Sequence, residues 1–257
     1  MKSYVWGMIA SLLIVISATS CAQPEEVTVP NGGVVITFDD HHFKDWLKTD
    51  SLFKAYEWKA TFCVSLIGSR SPEDIQSMHA LHAAGHEIAG HGYLHVHAAA
   101  YVALKGMDTY INDEIIPLIE YFEQDSMIDL RAYAYPYGSH HVSIDNELIN
   151  YFDIVRGIKN GNRSPERSPC YFNNSTTVYA LGLDQNLFHH SPDYFLDLLA
   201  YANQEGKIMI FYAHRPVETV TGDYQVSLAT LETICKYACE HQMHFYTLSD
   251  LANMSDD

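Results

Sequence analysis

The sequence predicts an α/β fold, a distorted or incomplete (β/α) barrel in a single domain. Three observations lead there. Apolar strand-like runs alternate with amphipathic helical stretches, the pattern of parallel βα units. The chain has 257 residues, a length that suits one large domain better than two. Finally, Asp39, Asp40, His91, Tyr137 and His214 all fall at or just beyond the carboxyl ends of predicted strands, the face where such barrels carry their chemistry.

Taken in order, residues 1–21 read as a targeting segment. Lys2 gives a positive start, and the apolar stretch from Val5 to Ile16 is short for a membrane span. Small residues then lead directly into Cys21, in Ile16-Ser17-Ala18-Thr19-Ser20-Cys21, which resembles a bacterial lipobox with Cys21 as the lipidated residue. An ordinary cleavable signal peptide and an uncleaved anchor are the alternatives. Residues 22–31 form an acidic tether, and 32–254 the folded domain. Strands are expected over 34–38, 61–66, 86–89, 132–135, 152–155, 177–181, 208–212 and 244–247. Helices are expected over 71–84, 109–125, 193–204 and 228–241; the first opens on Ser71-Pro72-Glu73 and stops at Gly85.

Composition narrows the function classes. Hydrophobic residues make up 47% of the chain, enough for a sizeable core and against global disorder. A net charge of −17 with only 15 Lys plus Arg leaves no basic stripe, so nucleic-acid binding is not expected and a neutral or cationic substrate fits best. Beyond the leader stand Cys63, Cys170, Cys235 and Cys239; the last two are a helical turn apart, poor disulfide geometry, and all four read as core thiols.

The central pattern is an apolar strand, Val34-Val35-Ile36-Thr37-Phe38, that ends in Asp39-Asp40. Two carboxylates at the end of such a strand are costly unless a cation is near. His91 and His95 follow at a spacing that puts both rings on one side of a helical turn, with glycines at 90 and 92 to bend the backbone before it. One carboxylate and two imidazoles make a three-ligand metal site with an open position, leaving a second carboxylate and His214 for proton transfer. His86-Glu87-Ile88-Ala89-Gly90-His91 has one residue too many for a His-Glu-x-x-His zinc motif. His86, His97, His189 and His190 are assigned to surface or packing roles.

These residues resemble the NodB-like polysaccharide deacetylases, carbohydrate esterase family 4. Thr37-Phe38-Asp39-Asp40 matches its first motif, His91-Gly92-Tyr93-Leu94-His95 its second, Ala134-Tyr135-Pro136-Tyr137-Gly138 its third and Tyr212-Ala213-His214 its last, in the family's order. The resemblance implies that Asp40, His91 and His95 hold a divalent metal, zinc first, with cobalt, nickel or iron allowed by ligand type. Asp39 would be the general base and His214 the acid toward the leaving group. Pro136, Tyr137, Tyr212 and Arg156 would be the substrate-side residues, and a backbone N–H near Tyr137 would help stabilise the oxyanion.

Departures from the family pattern shape the reading. The Arg that orients the catalytic Asp is Ala134 here. Arg131 is a poor substitute, and Arg156 is expected to reach Asp39 in its place. Gly92 stands where a hydroxyl is usual, Tyr212 where a Leu is usual, and His41 where a Gly is usual. The activity implied is metal-dependent removal of acetyl groups from an acetylated glycan, N-acetylglucosamine-type or O-acetylated, by an exported protein anchored at the cell envelope through Cys21. The alternatives are a glycan-binding relative without turnover and a hydrolase of non-sugar C–N bonds on the same fold.

Overall fold

A computed structural model describes residues 31–255 apart from 126 and 162, so the leader, Cys21 and nearly all of the tether lie outside the described residues. Its centre is a ring of short parallel strands: β1 (Gly33–Asp40), β2 (Thr61–Val64), β3 (Glu87–Gly90), β4 (Ala132–Ala134), β5 (Ile154–Lys159), β6 (Thr177–Gly182) and β7 (Ile208–Ala213). The ring closes because β1 pairs with β2 through Thr37–Asp40 on one edge and with β7 through Gly33–Phe38 on the other. Each expected strand is present. The last of them, β10 (His244–Tyr246), is not a further stave: it pairs with Gly33–Val35 of β1 and fills the gap below β2 on the same edge. Two seams are thin. A single residue pair, Gly90 with Tyr133, joins β3 to β4, and two pairs join β6 to β7. The barrel is therefore distorted, as the sequence predicts.

Side chains alternate across each strand and sort into two clusters. Val34, Ile36, Phe38, Phe62, Ile88 and Phe211 pack outward against helical residues such as Trp46, Met78, Leu118, Leu198 and Leu231. Val35, Cys63, Ala89, Ala132, Ala134, Ala180 and Ile210 face one another in the lumen. The small lumen residues reflect a narrow ring; the large outer ones cover the helix layer.

Around the ring run α1 (Phe43–Phe53), α2 (Pro72–Ala83), α3 (Ala98–Lys105), α4 (Met107–Tyr110), α5 (Ile116–Glu123), α6 (Val142–Leu148), α7 (Pro192–Gln204), α8 (Leu228–Glu240) and α9 (Leu248–Ser255). Ser71 caps α2 in a reciprocal box with Asp74, the signature read from Ser-Pro-Glu. The helix expected over 109–125 begins at Met107 and contains a π-helical turn, Ile111–Ile115, just before Pro117. Proline clashes with the carbonyl four residues back, and a widened turn accommodates it. Of the helices absent from the sequence reading, α9 has an ordinary start signal, a reciprocal box between Thr247 and Asp250, while α1, α3 and α6 lack one. Neither His42 nor His97, at the N-caps of α1 and α3, makes a side-chain cap, and α6 is capped by His141. A short pair, β8 (Arg215–Val217) and β9 (Gln225–Ser227), follows β7. Cys63, Cys170 and Cys235 are buried thiols as expected, while Cys239 is exposed.

At the amino end of the barrel, Glu87 ties the last helix to the ring. Its carboxylate accepts from Thr61 Oγ1 at 2.7 Å, from the backbone N–H of Leu248 at 2.9 Å and of Ser249 at 3.3 Å, and from the Ser249 hydroxyl. A carboxylate on the first amides of a helix is favoured by the dipole as well as by the bonds. Glu87→Ala removes the acceptor of the Thr61 and Ser249 hydroxyls and the Ser249 N–H, while the Leu248 N–H keeps Thr61 Oγ1. It is expected to cost about 1–3 kcal/mol, read as a lower urea midpoint with an unchanged slope.

Candidate active site

The site is built where β1 ends. Successive residues of a strand point to opposite faces, so Asp39 and Asp40 would normally diverge. Asp40 has φ 84°, which breaks the alternation and turns its side chain back toward the mouth of the lumen. Asp39 Oδ2 and Asp40 Oδ1 then both lie near His91 Nε2, at 3.9 and 3.6 Å. His95 Nε2 is 3.1 Å from Asp40 Oδ1. The ligand atoms of Asp40, His91 and His95 fall within 4.8 Å of one another.

The two histidines do not share a helical turn, which corrects the sequence expectation. Residues 91–97 form an irregular loop, bent through the left-handed region at Gly92 (φ 85°) and again at His95 (φ 60°). The rings meet with centroids 5.0 Å apart because this doubly bent loop, not a helix, brings them round. His91 Nδ1 donates to the carbonyl of Ala134 at 2.9 Å; a carbonyl only accepts, so Nε2 keeps its lone pair for the site. Burial, assisted by His95 and Arg156, lowers the His91 pKa to about 4 despite Asp39 and Asp40. A neutral imidazole is the form that ligates. Burial alone would raise the pKa of Asp40, but hydrogen bonding to His95 and the nearby histidine charges hold it well below the carboxylate range. This donor set fits a divalent cation.

Asp39 sits deeper, on the lumen side of β1. Arg156 Nη2 donates to Asp39 Oδ1 in a short hydrogen bond, and the same nitrogen lies 4.0 Å from Cys63 Sγ. Arg156 is 0% exposed. Its placement among the substrate-side residues is therefore corrected: it lies beneath Asp39, out of substrate reach, and its contact is the carboxylate. Burial would raise the Asp39 pKa, yet Arg156, His91 and His214 outweigh it and keep the group ionised. Arg156 stands in register with Ala134, so the guanidinium comes from β5 directly opposite the alanine of β4. Arg131 is at the amino end of β4, bonded to Asp153 and Asn253.

His214 follows β7. Its Nδ1 bonds to Asp184 Oδ2 at 2.5 Å, its backbone N–H donates to Asp184 Oδ1 at 3.1 Å, and Trp46 Nε1 donates to its carbonyl at 2.9 Å. Burial works against the imidazolium, but Asp184, with Asp39 and Asp40 behind it, raises the pKa above the ordinary value. Asp184 is absent from the sequence reading. The signal was there, an acid just past the end of β6, the same position rule that singled out Asp39. Glu114, fully buried against the 91–97 loop, had no such signal.

Of the other substrate-side residues, only Tyr137 offers an open face. It is 54% exposed with φ 60°, stacked on His97 at 3.8 Å and 4.7 Å from the His95 ring. Pro136 is buried, and Tyr212 is 7% exposed between Arg156 and His214. His41 bonds to Ser65 and His42 packs on Trp46, outside the metal-ligand group. His86, His97, His189 and His190 all have packing or hydrogen-bonding partners, in line with their assignment.

Residues 26–151 match the family model for polysaccharide deacetylases, a stretch that carries Asp39, Asp40, His91, His95, Pro136 and Tyr137. The resemblance to the NodB-like polysaccharide deacetylases read from the motifs thus holds over this stretch, on a chain folded as a (β/α) barrel. Among solved structures, the Xyl-CE4 domain of a multidomain xylanase from the hindgut metagenome of Trinervitermes trinervoides is 16% identical over 88% of this chain and 92% of its own, with TM-score 0.57. The catalytic domain of a peptidoglycan N-acetylglucosamine deacetylase from Eubacterium rectale is 16% identical over the same shares, with TM-score 0.52. A mutant of BA3943, a family pseudoenzyme with restored activity, is 14% identical over 87% of this chain and 68% of its own, with TM-score 0.54. At these identities the likeness establishes the fold. No curated protein matches the chain.

The Asp39–Arg156 pair makes a direct prediction. In metal-free Arg156→Gln, Asp39 stays buried but loses its cation, so its carboxyl pKa rises. Carbon-13 NMR titration checks this; an unmoved Asp39 would mean the guanidinium does not set its charge.

Proposed function

We propose that the protein is a metal-dependent hydrolase that removes acetyl groups from an acetylated glycan, N-acetylglucosamine-type or O-acetylated, at the cell envelope. The observation that carries this reading is convergence at one mouth: the Asp40–His91–His95 donor set, the Asp39–Arg156 pair and the Asp184–His214 pair. Asp40, His91 and His95 would hold a divalent cation, zinc by preference for two imidazoles and a carboxylate. Such a cation polarises a carbonyl and lowers the pKa of water to about 7.

Asp39, kept ionised by Arg156, takes the proton of the attacking water. His214, kept protonated by Asp184, gives a proton to the departing nitrogen or oxygen. The acyl C–N or C–O bond breaks, releasing acetate and a free sugar amine or hydroxyl. Asp184 also fixes the ring: its bond at Nδ1 turns Nε2 toward the mouth, the role of a carboxylate behind a catalytic histidine. Tyr137, exposed beside His95, offers an aromatic face to a sugar ring. Lipidation at Cys21 would tether the barrel to the membrane; that cysteine lies outside the described residues.

The competing reading, a glycan binder without turnover, drew its support from the Ala at 134. The Arg156–Asp39 contact removes that support. A hydrolase of non-sugar C–N bonds has no specific observation in its favour.

Acetate release by the full chain from acetylated oligosaccharides is the test. Release that requires added zinc, stops on chelation and falls by about 10²–10⁴-fold in Asp39→Asn is the expected result; no release from any substrate by zinc-loaded protein would overturn the reading. The pH profile gives a second check. Asp184 raises the pKa of an acid that must be protonated, so Asp184→Asn should move the alkaline limb of kcat/KM to lower pH. An unmoved limb would take His214 out of the acid role.

A further inference from the structure

We propose that Glu114 is a positioning residue that shapes the 91–97 loop so that His95 joins Asp40 and His91 around one cation. The inference rests on the metal-site reading above and concerns residues outside the donor set. Glu114 is fully buried on the π-helical turn Ile111–Ile115. Its carboxylate accepts from the backbone N–H of Leu94 at 2.5 Å and of Val96 at 3.1 Å, the residues on either side of His95. Its own carbonyl accepts from the N–H of Tyr93 at 3.3 Å. One residue thus anchors three amides of the loop.

The loop needs such an anchor. His95 has φ 60°, a conformation that a side chain other than glycine holds only when its surroundings impose it. With neighbours 94 and 96 both bound to one carboxylate, the residue between them is forced to bulge, and it bulges toward Asp40. Gly92 completes the device. A Cβ there would lie 2.3 Å from Glu114 Oε1 and 3.1 Å from Pro136 Cγ, at φ 85°. The empty space at Gly92 is where the carboxylate sits, so the glycine and the buried acid act as a pair. The π-helical turn supplies the remaining part: it widens the helix ahead of Pro117 at the position from which Glu114 reaches inward.

Partners that orient metal ligands typically contribute 10–100-fold to metal affinity. The test is zinc affinity of the full chain, measured by chelator competition, together with the visible spectrum of the cobalt-substituted protein, which reports coordination geometry. Glu114→Ala and Gly92→Ser should each weaken zinc binding by about 10–100-fold and alter the cobalt spectrum. Glu114→Gln keeps one acceptor oxygen and should weaken it less. Glu87→Gln is the control for mere structural damage: it perturbs a buried carboxylate that also accepts backbone amides, but at the opposite end of the barrel, and should lower stability while leaving zinc affinity and spectrum in place. If Glu114→Ala does not fold, Glu114→Gln and Gly92→Ser decide. Folded variants of Glu114 that bind zinc like the parent would overturn the inference with the metal site intact. A parent chain that binds no zinc would instead overturn the metal reading, and the inference with it.

Discussion

The site depends on one buried charge. Asp39 lies in the lumen of a narrow barrel, where an unpaired carboxylate would be neutralised or expelled. Arg156 makes it tenable, and the demands of Arg156 spread outward. A guanidinium needs room, which the small residues Ala134, Ala89 and Cys63 provide around the lumen. It also needs a partner for its charge, which only Asp39 supplies among the described residues. Two of its nitrogens, Nε and Nη1, have no protein partner, so the pair is held for charge more than for complete hydrogen bonding. Removing either member would leave the other stranded.

A second constraint is backbone strain at the mouth. Asp40, Leu66, His95 and Tyr137 have φ of 84°, 54°, 60° and 60°; Asp40 is the last residue of β1, and the other three lie in the segments that follow β2, β3 and β4. Regular strand geometry would splay Asp39 from Asp40 and point the loop histidines apart. At Asp40, His95 and Tyr137 the left-handed backbone brings the side chains together at one mouth. The supports are nearby and rigid: the Glu114 carboxylate below the histidine loop, the His97 ring beneath Tyr137, and the Ala134 carbonyl that fixes His91. The donor set therefore depends on surroundings that contribute no ligand.

Much of this was legible in the sequence. Continuous apolar runs bounded by turn residues located every strand of the ring, because both faces of each strand are covered, one by the lumen and the other by the helices. The helix behind the Thr247–Asp250 box was hidden by its closeness to the last strand, whereas the one opened by Ser71-Pro72 was legible too. Those beginning at Phe43, Ala98 and Val142 were not, since their N-caps are histidines. The ordered motifs placed Asp39, Asp40, His91, His95 and His214. The helical reading of His91 and His95 failed because spacing alone cannot tell a helical turn from a doubly bent loop.

The sequence by itself determined the fold class, the ring of strands and which side chains stand at their carboxyl ends, because those follow from local periodicity and from the rule that such barrels put chemistry on one face. It also singled out Arg156 as the partner for Asp39. Only the tertiary structure decided that Arg156 is buried beneath Asp39 and faces Ala134 in register, that Asp184 stands behind His214, and that Glu114 holds the histidine loop. These are contacts between residues far apart in the chain. Their strength depends on burial and on ångström distances, quantities that appear only when the strands have closed into a ring.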